Sequence, residues 1–197
     1  MQELCNELSE EHAALDEIVK ELNDSQWDLK TPFYDWTIKN EICHLAYFDD
    51  KANLAAADGD GFQADMMSSF EGITSVDEWL DKTTRDLMQM PPKELMAFWI
   101  SERTKMLDTF KVLDPEVKIP WYGPPMTARS FVIARMMETW AHGQDVADAV
   151  GVSRKAKESL RHIAHLGVKT FGWSYVNRGL EKPGQKVRVE LESPAGE

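Results

Sequence analysis

Four residues of one segment, Arg135, Glu138, His142 and Asp145, carry the most chemical information in this sequence. They interrupt Phe131–Ala147 (FVIARMMETWAHGQDVA), which is apolar over most of its circumference and therefore reads as a largely buried helix. At about 100° per residue the four fall in one stripe within about a quarter of that circumference, whereas Gln144 and Asp148 fall on the opposite side. An unpaired carboxylate or guanidinium is costly to bury, so an inward polar stripe needs a partner or a ligand.

Glu138 and His142 stand four apart, one above the other, so a carboxylate oxygen and an imidazole nitrogen can converge on one point. Two donors leave a metal underdetermined. The best third is His44, in Glu41–Phe48 (EICHLAYF), where Ile42, Leu45 and Phe48 mark a core-facing position. The set His44, Glu138 and His142 suits zinc, with nickel or iron as other divalent choices, and leaves coordination positions open as catalytic sites do. A blander reading stays open here: Glu138 paired with Arg135, and His44 a hydrogen-bonded core histidine.

The elements that would position these donors are helical nearly throughout. Leu4, Leu8, Leu15, Ile18, Val19 and Leu22 repeat at helical spacing over Glu3–Leu22. A second helix starts at Thr37 as N-cap and runs to about Asp58, and Gly59–Thr74 reads as a loop. Ser75 and Glu78 read as a capping box opening a third helix to about Met90. Pro91-Pro92 starts a fourth, ending near Leu113. Ile119–Met126 (IPWYGPPM) must be an ordered loop; Thr127 caps the fifth helix, which ends near Gly151, and Ser153 caps a sixth to about Asn177. Lys186–Glu192 (KVRVELE) changes to a period of two, a strand signature. The expected organisation is a helical metal-binding domain over 1–180, then a linker and the first strand of a truncated C-terminal domain over 181–197.

Composition narrows the class. The chain has 197 residues, 43% of them apolar, enough for a substantial core. A net charge of −12 is the wrong sign for nucleic acid or an anionic membrane as partner. No stretch approaches about 18 consecutive apolar residues. Two cysteines cannot make a disulfide scaffold, and the start MQELCNELSEEH lacks the basic, apolar pattern of an export signal, so a reduced cytoplasmic protein is expected.

Three motifs then point to a family. W-T-x₆-H-L (Trp36, Thr37, His44, Leu45), W-Y-G-P-P-M (Trp121–Met126) and R-x-M-E-T-W-A-H-G-Q-D-V-A-D-A-x-G (Arg135–Gly151) resemble the metal-binding family related to mycothiol-dependent maleylpyruvate isomerase, within the wider DinB-like group. The likeness covers nearly all of 1–180. It implies an all-α fold with a DinB-like four-helix-bundle core, additional helices and a short C-terminal β segment. It also implies one metal on His44, Glu138 and His142, and a low-molecular-weight thiol such as mycothiol as co-substrate. Characterised relatives carry a smaller C-terminal α/β domain that helps close the active site; of it this sequence shows only the strand-like Lys186–Glu192.

Other residues carry two readings each. Trp121, Tyr122 and Met126 either plug the end of the bundle or wall the substrate pocket. Arg135 and Asp145 are candidates to orient the metal ligands. Arg103 is a candidate anchor for an anionic substrate or an exposed helical arginine. Cys43 and Cys5 read as packing thiols, His12 as a surface side chain, and Trp79, Trp99, Trp140 and Trp173 as core. His162 and His165, three apart, lack a suitable carboxylate nearby.

The leading functional reading is a metal-dependent enzyme that activates a thiol against a small electrophile, giving transfer or isomerisation. The same site with water in place of thiol would hydrolyse an amide or ester. A non-catalytic metal-binding bundle, with a homodimer as its partner form, is the reading outside the enzymes.

Overall fold

A computed structural model describes residues 1–192; residues 193–197, the end of the expected C-terminal segment, lie outside the described residues. Helices α1 (Gln2–Val19), α2 (Ile38–Ala57), α5 (Pro92–Lys111) and α6 (Ala128–Val150) make the bundle, with α2 packed on α5 and α6, and α1 on α6 and α5. Their shared core includes Leu15, Ile42, Leu45, Trp99 and Val146, all sealed from solvent. Leu8, His12 and Leu15 lie on the same inward face of α1, so His12 is buried rather than at the surface. It stands edge-on to Trp99 at 5.7 Å, with neither ring nitrogen hydrogen-bonded.

Local signals set most boundaries. The Thr37 hydroxyl accepts from the Asn40 amide and Asn40 returns the bond, a complete capping box at the start of α2. Thr127 caps α6 through the Ser130 amide, and Gly151 ends it in the left-handed conformation that spares glycine a Cβ clash. Helix α4 (Val76–Gln89) begins on Ser75, which accepts from the Glu78 amide; the Glu78 carboxylate reaches one residue further, to Thr74. β1 (Lys118–Ile119) and β2 (Met126–Thr127) pair antiparallel and clamp the proline-rich loop between them.

Three expectations are corrected. Gly59–Thr74 is not a loop throughout: α3 (Gly59–Ser69) forms because the Asp58 carboxylate caps the Gly61 amide, and Phe62 is fully buried, stacked on Trp121. A side chain at Gly61 would meet the Asp58 carboxylate at 2.4 Å, so this cap requires a glycine at position 61. The sixth helix begins not at Ser153 but at Leu160, the first large apolar residue after a charged stretch, and it is divided at Thr170 into α7 (Leu160–Lys169) and α8 (Phe171–Val176). The Thr170 hydroxyl bonds back to the Leu166 carbonyl, which also accepts the Thr170 amide. Finally, Lys186–Glu192 forms no ladder. Val187, Val189 and Leu191 are exposed, since a single strand has no partner for its backbone groups.

The chain divides into two units, Met1–Ser153 and Arg154 onward. In the second, Val168, Phe171, Val187 and Leu191 line a cavity of about 800 Å³, and Trp173 is exposed rather than core. Among the described residues no helix is long and apolar enough to cross a membrane.

Candidate metal centre

Helix α2 brings His44 to the centre of the first unit, and α6 brings Glu138 and His142 one turn apart. The Nε2 atom of His44 and the Nε2 atom of His142 each lie 3.2 Å from the same carboxylate oxygen, Oε2 of Glu138. The two imidazole rings are 4.5 Å apart between centroids. One donor atom from each of the three residues falls within 4.8 Å of the others, close enough to share a cation. Two imidazole nitrogens and one carboxylate oxygen, all aimed at one spot, form a donor set that fits a borderline divalent metal.

The charges of the centre follow from this crowding. Burial alone would push the Glu138 carboxyl up, but hydrogen bonds from His142 and His44 and the Arg135 charge hold it well below the usual carboxylate range. Burial alone would push His142 down, but its bonds to Glu138 and Glu41 raise it to about 9. Burial dominates at His44, whose pKa is lowered despite Glu138, and the neighbouring His142 charge adds to the effect.

Glu41 is the residue that sequence reasoning passed over. It sits in the first turn of α2, three residues before His44, and is fully buried. Its Oε2 is 2.6 Å from Nδ1 of His142, and its Oε1 accepts the Thr31 hydroxyl at 2.6 Å. An acid in the first turn of a helix is ordinary; the available signal was its position on the same face as His44.

The remaining site candidates are distributed as follows. Arg135 donates from Nε to Asp49 at 2.9 Å, both buried, so it is not the direct partner of Glu138. Asp145 is half-buried, with a carboxylate oxygen near Glu41 and His142; burial and the Glu41 charge push it up. Trp121 and Tyr122 turn away from the triad into an aromatic cluster: Trp121 packs on Phe62 and Phe131, and the Tyr122 hydroxyl meets Tyr47 at 3.2 Å. Met126 belongs to β2. Arg103 is neither exposed nor beside the triad's cavity; it grips Asp16 with both terminal nitrogens and lies 4.3 Å from the Trp99 ring. Cys43 is a buried free thiol that burial pushes up to about 12, unsuited to ligation.

Beside the triad opens a cavity of about 640 Å³, within the range of small-molecule sites. His44, Glu138 and His142 form one wall, and Trp36, Tyr34 and Leu80 contribute to the others. The Trp36 ring lies nearly parallel to His142 at 5.8 Å, and Phe33 stands edge-on to the same imidazole at 5.4 Å. Both come from a loop closed by the Lys30–Thr37 bridge, at whose tip Tyr34 holds φ of 49°, a left-handed conformation unusual for a side chain of that size. Asp35, Asp77 and Asp81 also line the cavity, and no lysine or arginine does among the described residues.

Comparison with known proteins bears on this arrangement. The model of the mycothiol maleylpyruvate isomerase N-terminal domain matches residues 8–147, which include all three donors. Uncharacterized proteins from two strains of Mycobacterium tuberculosis are each 38% identical over 191 residues, covering 97% of this chain and 73% of their own. Crystal structures of the mycothiol-dependent maleylpyruvate isomerase and of a histidine-to-alanine mutant superpose with TM-scores of 0.65 and 0.66 at 12% and 11% identity. Each match covers 91% of this chain and 72% of the other. At that identity the likeness is one of fold.

Proposed function

Since this chain belongs to the mycothiol maleylpyruvate isomerase N-terminal domain family, we propose that it is a metal-dependent enzyme that activates a low-molecular-weight thiol, of the mycothiol kind, for attack on a small electrophile. The observation that carries the reading is the aim of both Nε2 atoms at one oxygen of Glu138, on the wall of an accessible cavity. His44, Glu138 and His142 would hold one divalent cation, zinc by donor type, with nickel or iron as alternatives. When bound, that cation supplies the charge that makes a thiol, with a free pKa of about 8.5, a thiolate at neutral pH.

The chain's own residues supply the rest. Glu138 brings a carboxylate that stays ionised at neutral pH, so the donor set offsets one unit of the cation's charge. Phe33 and Trp36 pack against the His142 imidazole, and Trp36 also against His44, which limits how the two rings can turn. The open side of the cavity admits thiol and electrophile together. In the reaction the thiolate sulfur forms a C–S bond to an electron-poor carbon conjugated to a carbonyl. If the adduct is protonated, the outcome is thiol transfer. If instead the former double bond rotates and the C–S bond then breaks, the thiol is regenerated and the outcome is cis–trans isomerisation.

The test is a thiol-consumption assay on metal-loaded protein with a panel of thiols and conjugated electrophiles, run beside a panel of amides and esters. Thiol-dependent turnover lost in His142→Ala supports the proposal. Turnover of amides or esters without thiol, or thiol transfer that survives His142→Ala, contradicts it.

A further inference from the structure

The donor set alone leaves one feature of the first unit unexplained: a fully buried carboxylate, Glu41, that is not aimed at the point where the three donors meet. A buried carboxylate needs hydrogen-bond donors, and Glu41 has two. The imidazole of His142 meets it through Nδ1 at 2.6 Å, and the Thr31 hydroxyl donates to its other oxygen at 2.6 Å. An imidazole has two nitrogens on opposite sides of the ring. When Nδ1 carries its proton toward Glu41, that bond holds the ring from behind and leaves the lone pair of Nε2 on the Glu138 side, free for a cation.

Thr31 extends the chain outward. Its amide bonds to the Trp36 carbonyl at 2.9 Å, and its hydroxyl also accepts from the Phe33 amide at 3.3 Å. The same residue therefore closes the loop that carries Phe33 and Trp36 and donates to the carboxylate behind His142. We propose that Glu41 is the positioning residue for His142 and that Thr31 acts through Glu41, so one hydrogen-bonded chain sets both the donor nitrogen and the aromatic loop over it. This rests on the reading of His142 as a metal donor. It assigns the orienting role to Glu41 and not to Asp145, which is near but makes no bond of comparable length to the ring.

Glu41→Gln keeps the size of the side chain and removes its charge. With zinc or cobalt alone as the probe, the variant binds about 10- to 100-fold more weakly than the parent while its circular dichroism is unchanged. Thr31→Val weakens binding less, and adds nothing further in the Glu41→Gln background. In ¹⁵N-labelled protein without metal, the His142 ring N–H resonance moves in Glu41→Gln and keeps its place in Asp145→Asn. Parent-like affinity and an unmoved resonance in Glu41→Gln overturn the proposal, and so do additive effects of the two substitutions. If Glu41→Gln does not fold, Thr31→Val alone decides: weakened cation binding supports the chain, and parent-like binding overturns it. A parent that binds no cation, with a resonance that still responds to Glu41→Gln, refutes the metal reading and upholds the positioning of His142.

Discussion

His44 and Glu138 stand 94 residues apart in the chain, yet Nε2 of one lies 3.2 Å from Oε2 of the other. Helix α2 against α6 makes that meeting, and His142 completes it one turn along α6. Without a cation the Nε2 atoms of both imidazoles meet Glu138 through protons, while Nδ1 of His44 has no hydrogen-bond partner among the described residues. A divalent cation would replace those protons with one centre of charge, at the same spot and on the same donors.

Cation binding should therefore stabilise the fold. At a free cation concentration of about a hundred times Kd, linkage gives about 2.7 kcal/mol, which corresponds to a rise in Tm of roughly 5–10 °C for a chain of this size. His142→Ala should keep nearly all of its helical content and lose the rise. Thermal melts followed by circular dichroism, with and without added zinc, check both statements.

Proton release is a second consequence. His142 is raised to about 9, so at pH 7 it is protonated in the cation-free protein, whereas His44 is lowered and already neutral. A cation must displace the His142 proton, so uptake at pH 7 should release about one proton, and affinity should fall about tenfold per unit as pH drops from 9 toward 7. Titration calorimetry in two buffers of different ionisation enthalpy measures the number released; a value near zero would contradict the charge assignment.

Much of this site was legible in the sequence, and the omissions have physical causes. Glu138 and His142 announce themselves because an i, i+4 pair of polar donors is conspicuous on an otherwise apolar helix. Thr37, Ser75, Thr127 and Gly151 mark their helix ends through local hydrogen bonds that depend on near neighbours only. Glu41 escaped because its partners, Thr31 and His142, are joined to it by tertiary packing. Helix α3 escaped because its two glycines read as a break, so Phe62 had no face to be assigned to and the choice between the two readings of Trp121, which stacks on it, stayed open. His12, flanked by acids, looked exposed, although its spacing from Leu8 and Leu15 placed it on the buried face.

Arg103 should matter for stability and not for the metal centre. Its paired bonds to Asp16 tie α5 to α1, while its guanidinium lies over the ring of Trp99 on its own helix. Arg103→Met removes a charge-assisted pair that is partly open to solvent at Asp16, with an expected loss of about 1–3 kcal/mol. Urea unfolding should show that loss, and cation affinity should be unchanged. A selective loss of affinity would return Arg103 to the ligand site.

His12 should make the fold sensitive to acid. Burial, opposed by Asp49 and assisted by Arg103 and Arg135, lowers its pKa to about 3, against about 6.5 in the unfolded chain. Between those values the unfolded chain holds the extra proton, so this contribution is complete above pH 6.5 and is lost as pH falls toward 3. From pH 7 to pH 5 the loss is about 2 kcal/mol. His12→Phe removes the titrating group, and its unfolding free energy should vary less with pH than the parent's over that interval; equal slopes would contradict the burial of a neutral imidazole.

The claim on which all else rests is that His44, Glu138 and His142 hold one divalent cation together. Elemental analysis of protein purified without added metal, set against His44→Ala prepared in parallel, tests it most directly. About one divalent cation per chain in the parent and close to none in the variant is the predicted result. A parent that carries no cation and takes none up, or a variant that retains a full equivalent, would contradict it.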